Sequence, residues 1–141
     1  MKILIDTTVL VEIDRNRKEI ITLIKKLVKE HELYLSVITV SEILTGAYLR
    51  KDHDLAAIKA KLLMGQMNWV DVEPLIAEKA GEINAFLIIN GLKIEFPDVL
   101  IAATSLVLKC DLLISSNKDH FQRIPALKNK VLTPLELKEK I

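Results

Sequence analysis

The chain has 141 residues, and its 20 Lys and Arg nearly balance its 19 Asp and Glu. Half of the residues are hydrophobic, which excludes an intrinsically disordered chain, and the charge balance excludes a protein that coats nucleic acid through bulk positive charge. The single cysteine, Cys110, excludes a disulfide framework and a multi-cysteine metal site. We expect one domain over residues 1–141 and a cytoplasmic location, because no membrane span or signal peptide is recognisable.

Short apolar runs alternate with segments of helical spacing in the first part of the chain. Residues 3–5 predict a strand, and apolar side chains recur at helical spacing within residues 10–31. A second strand is predicted at residues 33–37. The next helix is expected to begin at Thr39, with Glu42 three residues further on as the partner in a capping box.

The same alternation continues to the end of the chain. A helix is predicted from Asp52 to about Gly65, a strand at residues 69–72, and a helix that opens at Pro74. A strongly apolar helix is predicted for residues 97–109. The remaining elements are strands at residues 112–114 and 131–132 and a short closing helix that starts at Pro134. This pattern predicts an α/β fold, with a mainly parallel sheet covered by helices on both faces.

Four carboxylates are expected at one edge of this sheet, where the carboxyl ends of parallel strands meet. Asp6 follows the first strand, Glu42 follows the second, Asp98 lies in the first turn of the apolar helix, and Asp119 follows the strand at 112–114. Carboxylates gathered in one cleft must either hold protons or bind a cation. Oxygen ligands without His or Cys suit Mg²⁺ or Mn²⁺, and such an ion can activate water at a phosphodiester.

Each of these acids also has an ordinary structural explanation. Asp6 can cap a helix, Glu42 can complete the capping box with Thr39, and Asp98 can stabilise a helix N-terminus. Two other enzyme or signalling classes place an acid after the first strand. A haloacid-dehalogenase-like phosphatase needs a second Asp where this chain has Thr8, and a receiver domain needs an acidic pair where it has Asp6 and Thr7.

Four segments contain these acids, namely IDTTVL at 5–10, VSEI at 40–43, PDVLIAA at 97–103 and LISSNKDHF at 113–121. In order and spacing they resemble the signature segments of PIN domains, and within that family those of the VapC-type toxins of toxin–antitoxin pairs. The resemblance implies a three-layer α/β/α sandwich and a metal-dependent endoribonuclease that hydrolyses RNA. It also implies a homodimer that is held inactive by a cognate antitoxin protein.

The resemblance implies roles for particular carboxylates. Asp6 and Asp98 correspond to the principal ligands of Mg²⁺ or Mn²⁺, and Glu42 corresponds to a further ligand, direct or through water. The bound ion would lower the pKa of a water molecule that attacks phosphorus, and Glu42 or Asp119 would orient that water. The expected catalytic set is therefore Asp6, Glu42, Asp98 and Asp119.

Polar neighbours complete the expected site. Thr7, Thr8 and Ser115 are expected to hydrogen-bond the carboxylates or to contact a substrate phosphate. Asn117 stands where many members of the family have an acid, and its amide oxygen can coordinate an ion but brings no charge. This departure leaves open whether one ion or two are used. It also supports an alternative function, a non-catalytic PIN-like module that binds RNA or an antitoxin through a weakened metal site.

Three further groups of residues have weaker interpretations. The histidines lack partners at metal-binding spacing and are expected to be structural or solvated; they are His31, His53 and His120. Basic residues beside the first and fourth segments either contact RNA phosphates or are ordinary surface charges; they are Arg15, Arg17, Lys18, Lys118 and Arg123. A surplus of apolar side chains predicts a homodimer face or an antitoxin groove; it comprises Ala47, Tyr48, Ile58, Leu62 and Leu63.

Overall fold

A five-stranded parallel sheet forms the centre of the computed structural model, which describes residues 1–141. Its strands are β1 (Lys2–Ile5), β2 (Glu32–Ser36), β3 (Asn68–Val70), β4 (Leu112–Ile114) and β5 (Val131–Leu132). They lie in the order β3-β2-β1-β4-β5, and every neighbouring pair is parallel. The predicted α/β fold is therefore confirmed.

Eight α-helices connect and cover these strands. They are α1 (Thr7–Asp14), α2 (Lys18–Glu30), α3 (Val37–Tyr48), α4 (His53–Met64), α5 (Pro74–Ile89), α6 (Phe96–Val107), α7 (Lys118–Gln122) and α8 (Pro134–Lys140). A 3₁₀ helix, Pro125–Leu127, lies between α7 and β5. None of these helices combines the length and the apolar character that a membrane span requires.

The two faces of the sheet carry separate hydrophobic cores, because successive side chains of a strand point in opposite directions. Ile3 and Ile5 of β1 pack against a core supplied by α1, α2, α3, α4 and α8. Leu4, between them, packs against a core supplied by α5, α6, α7 and the 3₁₀ helix. The predicted three-layer sandwich is thus confirmed, with the sheet as its middle layer.

The segment predicted to contain one helix within residues 10–31 contains part of one helix and the whole of another. Helix α1 ends at Asp14, and α2 begins at Lys18. Between them Asn16 has a φ of 57°, in the left-handed region that Asn tolerates better than most residues. The apolar periodicity of α2 is strong, but it gives no sign of this turn, because the turn contains neither Gly nor Pro.

Helix α3 begins two residues before the predicted cap. Ser36 is the N-cap, and its hydroxyl accepts a hydrogen bond of 3.1 Å from the backbone N–H of Ile38. Thr39 is fully buried inside the first turn, so the predicted capping box between Thr39 and Glu42 is wrong. Glu42 is consequently not required for helix capping.

The direction in which successive strands are added to the sheet reverses at its centre, at β1. From β1 the strands β2 and β3 extend to one side, whereas β4 and β5 extend to the other. Asp6 directly follows β1 and Ser115 directly follows β4, and the backbone N–H of Asp6 donates a 2.9 Å hydrogen bond to the carbonyl of Ile114. In parallel sheets such a switch point opens a crevice at the carboxyl ends of the strands, where ligands bind.

Candidate active site

Asp6 is a buried carboxylate at this switch point, with only 2% of its surface exposed. Its Oδ2 accepts hydrogen bonds of 2.7 Å from the hydroxyls of both Thr8 and Ser115. Its Oδ1 is buried and has no hydrogen-bond partner. Although Asp6 precedes α1, its side chain makes no capping hydrogen bond, so helix capping does not explain its presence.

The electrostatic environment of Asp6 disfavours its negative charge. Burial raises the pKa of Asp6, the hydroxyls of Thr8 and Ser115 lower it in part, and the nearby charge of Asp98 raises it again. A buried carboxylate oxygen without a donor needs a compensating group. A cation is one such group, since it stabilises the charge that burial disfavours.

Hydroxyl groups fix the Asp6 carboxylate across the β1–β4 pair. The Ser115 hydroxyl, fully buried, also accepts a 2.9 Å hydrogen bond from the backbone N–H of Asn117. The Thr8 hydroxyl accepts a 3.0 Å hydrogen bond from the backbone N–H of Ser116. The segment after β4 is therefore linked to Asp6 through two side chains, and these side chains match the supporting residues predicted from the sequence.

Glu42 lies on α3, beside the N-terminus of α1. The Thr7 hydroxyl lies 2.8 Å from Glu42 Oε1, to which it donates, and 3.0 Å from the hydroxyl of Thr39. Desolvation raises the pKa of Glu42, the hydrogen bond from Thr7 lowers it, and the charges of Asp6 and Asp98 raise it further. Glu42 is thus electrostatically coupled to the two aspartates, as expected for acids that share one cleft.

Asp98 enters the same cleft from the first turn of α6, without capping that helix. Its side chain is 20% exposed, and its Oδ2 lies 3.2 Å from Nδ1 of His120 on α7. An ionised carboxylate can only accept hydrogen bonds, so Nδ1–H of His120 is the donor. This contact is absent from the sequence-based expectation, in which His120 has no partner.

The three carboxylates share a pattern. In each of Asp6, Glu42 and Asp98 one oxygen accepts hydrogen bonds from neighbouring side chains, and these bonds leave the other oxygen unused. As placed, no three His, Cys, Asp or Glu side chains converge closely enough to bind one ion. The all-oxygen donor set and the unpartnered Oδ1 of Asp6 nevertheless fit a hard divalent cation such as Mg²⁺ or Mn²⁺.

The remaining predicted site residues lie at the rim. Asp119 is exposed in the first turn of α7 and makes no hydrogen bond or ion pair with the three central carboxylates. Asn117 is exposed just before α7, and its contribution to the network is a backbone N–H donated to Ser115. The structure therefore places Asp6, Glu42 and Asp98 within range of electrostatic interaction with one another and leaves Asp119 apart from them.

Two of the basic residues near the fourth segment have partners within the chain. Nζ of Lys118 lies 2.7 Å from Oε2 of Glu136, which joins α7 to α8. The Arg123 guanidinium donates a 3.1 Å hydrogen bond to the carbonyl of Lys93, before α6. Both cations therefore stabilise the fold around the site. Those near the first segment, Arg15, Arg17 and Lys18, are exposed.

Comparisons with known proteins agree with this architecture. The chain resembles a chain of the VapBC2 complex of Rickettsia felis, solved with a DNA fragment from its promoter, with 22% identity, a TM-score of 0.84, and coverage of 94% of this chain and 98% of that one. It resembles a chain of VapBC-1 from nontypeable Haemophilus influenzae with 25% identity, a TM-score of 0.82, and coverage of 96% and 99%. It also resembles a chain of a toxin–antitoxin complex from Klebsiella pneumoniae, with 25% identity, a TM-score of 0.68, and coverage of 93% of this chain and 96% of that one.

The family itself follows from the sequence. None of the curated proteins is significantly similar to the chain. The sequence profile of the PIN domain, however, matches residues 3–127, a range that begins within β1 and includes the three central carboxylates and α7. The resemblance noted in the four signature segments is thereby confirmed. Because the match covers most of its length, the chain belongs to the PIN domain family.

Proposed function

We propose that the protein is a Mg²⁺- or Mn²⁺-dependent endoribonuclease and the toxin of a type II toxin–antitoxin pair. The observation that carries this proposal is the buried Asp6 carboxylate, whose unpartnered Oδ1 lies at the switch point of a parallel sheet. The charge of Asp98 raises the pKa of both Asp6 and Glu42, so the three acids are close enough to interact electrostatically. The similarity to chains of toxin–antitoxin complexes supports the biological context.

Asp6, Glu42 and Asp98 are the residues that would hold the ion. When bound, a divalent cation supplies positive charge to the scissile phosphate and acidifies an attacking water molecule. Thr8 and Ser115 hold Asp6 in one orientation through Oδ2, which leaves the buried Oδ1 free for the ion. Since the three carboxylates do not yet converge on one point, ion binding must draw them together against their mutual repulsion.

Thr7 and Asp119 complete the proposed machinery. Thr7 orients Glu42 through its 2.8 Å hydrogen bond, which leaves Oε2 of Glu42 for the ion or for a water molecule. Asp119 is exposed at the start of α7, where it can reach a water molecule at the mouth of the cleft without contacting the three central acids. Asn117, beside it, offers an uncharged amide to the RNA or to a second ion.

We also propose a cognate antitoxin and a second copy of the chain as partners in the cytoplasm. Of the apolar surplus predicted from the sequence, Tyr48, Ile58 and Leu62 are 53%, 57% and 68% exposed. Ala47 is buried and Leu63 packs against the core, so these two do not belong to a free surface. The exposed side chains lie on α3 and α4, which makes this helix pair the candidate protein interface.

The decisive experiment is RNA cleavage by wild type, Asp98→Asn and Asp54→Asn, with Mn²⁺ or Mg²⁺ and with chelator. Asp54 is a matched control, because it also lies in the first turn of a helix but has a side chain that is 90% exposed and pairs with His53 rather than with the residues of the site. We expect wild type and Asp54→Asn to cut RNA only with metal, and Asp98→Asn to lose cleavage. Equal cleavage by Asp98→Asn contradicts the proposal.

The alternative function, a non-catalytic binding module, can be distinguished from a nuclease by its metal binding. It is favoured by the failure of the three carboxylates to converge on one point and by the uncharged Asn117. Calorimetric titration of the wild-type chain with Mn²⁺ discriminates the two functions. A nuclease binds the ion and loses that binding on Asp6→Asn, whereas a module that binds RNA or antitoxin without cutting shows no Mn²⁺ binding in either protein.

A further inference from the structure

Helix α7 is fixed firmly beside the carboxylate cluster although it has only five residues. Phe121, near its C-terminal end, is fully buried in the core between the sheet and α6. Arg123, which directly follows the helix, donates a 3.1 Å hydrogen bond to the carbonyl of Lys93, in the segment that leads to α6. A buried anchor and a backbone link therefore hold α7 against the N-terminus of α6.

His120 directly precedes the first of these anchors, Phe121, and faces Asp98. Its Nδ1 lies 3.2 Å from Asp98 Oδ2, and the two side chains are 36% and 20% exposed. Because the neighbouring Phe121 is buried, it fixes the backbone that carries the imidazole.

Through this contact, one oxygen of Asp98 accepts a hydrogen bond from a neighbouring side chain, as one oxygen of Asp6 and one of Glu42 also do. Thr8 and Ser115 donate hydrogen bonds to Oδ2 of Asp6, and Thr7 donates one to Oε1 of Glu42. Asp98 has no such hydroxyl, and His120 takes its place as the donor to one oxygen. In metal sites, groups that hydrogen-bond the ligands orient them, and mutation of these groups lowers metal affinity about 10–100-fold.

We propose that His120 is a positioning residue, which fixes the Asp98 carboxylate so that its free oxygen faces the ion. The inference rests on the proposed function, in which Asp98 is a metal ligand. It assigns His120 no contact with the ion or the substrate. The requirement is an N–H donor at this position, so the imidazole can be replaced by another side chain that donates from the same place.

The test is calorimetric titration of the full-length chain with Mn²⁺ in the absence of RNA. His120→Ala removes the donor, whereas His120→Asn offers an amide N–H near the position of Nδ1. His53→Ala is the matched control, because His53 also contacts an aspartate, at 3.1 Å from Asp54, but does so on the exposed surface. Thermal unfolding of each protein in chelator reports separately on the fold.

We expect His120→Ala to weaken Mn²⁺ binding about 10–100-fold. His120→Asn should restore most of that loss, and His53→Ala should bind as wild type does. Unfolding in chelator should be similar for all of the proteins. RNA cleavage by His120→Ala should be low at limiting Mn²⁺ and should recover when Mn²⁺ is saturating.

Three results overturn the inference, and they are distinguishable. If wild type and His120→Ala bind Mn²⁺ equally, His120 has no positioning role, while the proposed function stands. If both His120 variants lose binding and also unfold at lower temperature in chelator, the residue is structural. If wild type itself binds no Mn²⁺, the proposed metal site fails, and the role of His120 fails with it.

Discussion

Asp6→Asn should change the stability of the protein in opposite directions with and without metal. Asn has nearly the size of Asp, and its carbonyl oxygen can still accept the hydroxyls of Thr8 and Ser115, which lie 2.7 Å from Oδ2. The substitution leaves one buried polar atom unpaired, as before, but removes a charge that burial and Asp98 both disfavour. The metal-free protein should therefore become more stable.

The size of the effect follows from the burial of this side chain, which is 2% exposed. We expect Asp6→Asn to gain about 1 kcal/mol in chelator, within the range of single stabilising substitutions. That gain corresponds to a rise in Tm of about 2–4 °C. With Mn²⁺ at 100 times its Kd, ligand binding stabilises wild type by about 2.7 kcal/mol, so wild type should then exceed Asp6→Asn by about 2 kcal/mol.

The assay is thermal unfolding at neutral pH in chelator and in Mn²⁺, with Asp54→Asn as the control. Asp54 is 90% exposed at its side chain, so its substitution should leave Tm nearly unchanged in both conditions. The reasoning is refuted if Asp6→Asn unfolds at a lower temperature than wild type in chelator. That result would show that the fold requires the negative charge of Asp6 for its own stability.

The pH dependence of the same measurement has a definite sign. In the folded chain the pKa values of Asp6 and Glu42 lie above their ordinary values of 3.8 and 4.5, chiefly because of desolvation. The folded state then binds protons more tightly than the unfolded state does. In chelator, wild-type stability should fall as the pH rises from the ordinary pKa values through the raised ones, and Asp6→Asn should show a smaller fall.

Two further substitutions test the supports of the site. Ser115→Ala removes a fully buried hydroxyl that donates a hydrogen bond to Asp6. In urea unfolding of the metal-free protein, it should lower the free energy of unfolding by about 1.5–3 kcal/mol. Ser116→Ala, the control at an exposed position, should lower it by less than about 0.5 kcal/mol. Equal costs would show that the hydroxyl does not orient Asp6. Phe121→Ala should cost about 3–5 kcal/mol and weaken Mn²⁺ binding, because the anchor of α7 is lost. A large loss of stability with unchanged Mn²⁺ affinity would separate α7 from the metal site.

The arrangement of the main carboxylates could be predicted because it depends on the topology of the sheet. Ile3, Leu4 and Ile5 alternate between two cores, which identifies a buried central strand, and the residue after such a strand lies at the ligand-binding edge. The same reasoning predicts that Asp6 and Asp98 approach one another. Neither inference needs side-chain geometry, since parallel strands share one carboxyl edge.

The contacts that orient these carboxylates could not be predicted in the same way. Helix α7 has five residues, too few for an apolar period, so the sequence gives no sign that His120 faces Asp98. The cap of α3 is equally hard to predict, because Ser36 and Thr39 are both good capping residues and both are fully buried. Only the point at which the backbone enters the helix decides between them, since α3 begins at Val37 and Thr39 already lies inside its first turn.

The central position of β1 has a consequence for the order in which the protein is made. Of the five strands of this sheet, β1 is synthesised before the others, but one of its two edges pairs with β4, residues 112–114. Until β4 has been synthesised, that edge exposes unpaired backbone groups, and Asp6 lacks the hydroxyl of Ser115. Under the proposed function, a growing chain thus remains without a complete nuclease site until β4 and Ser115 have been translated.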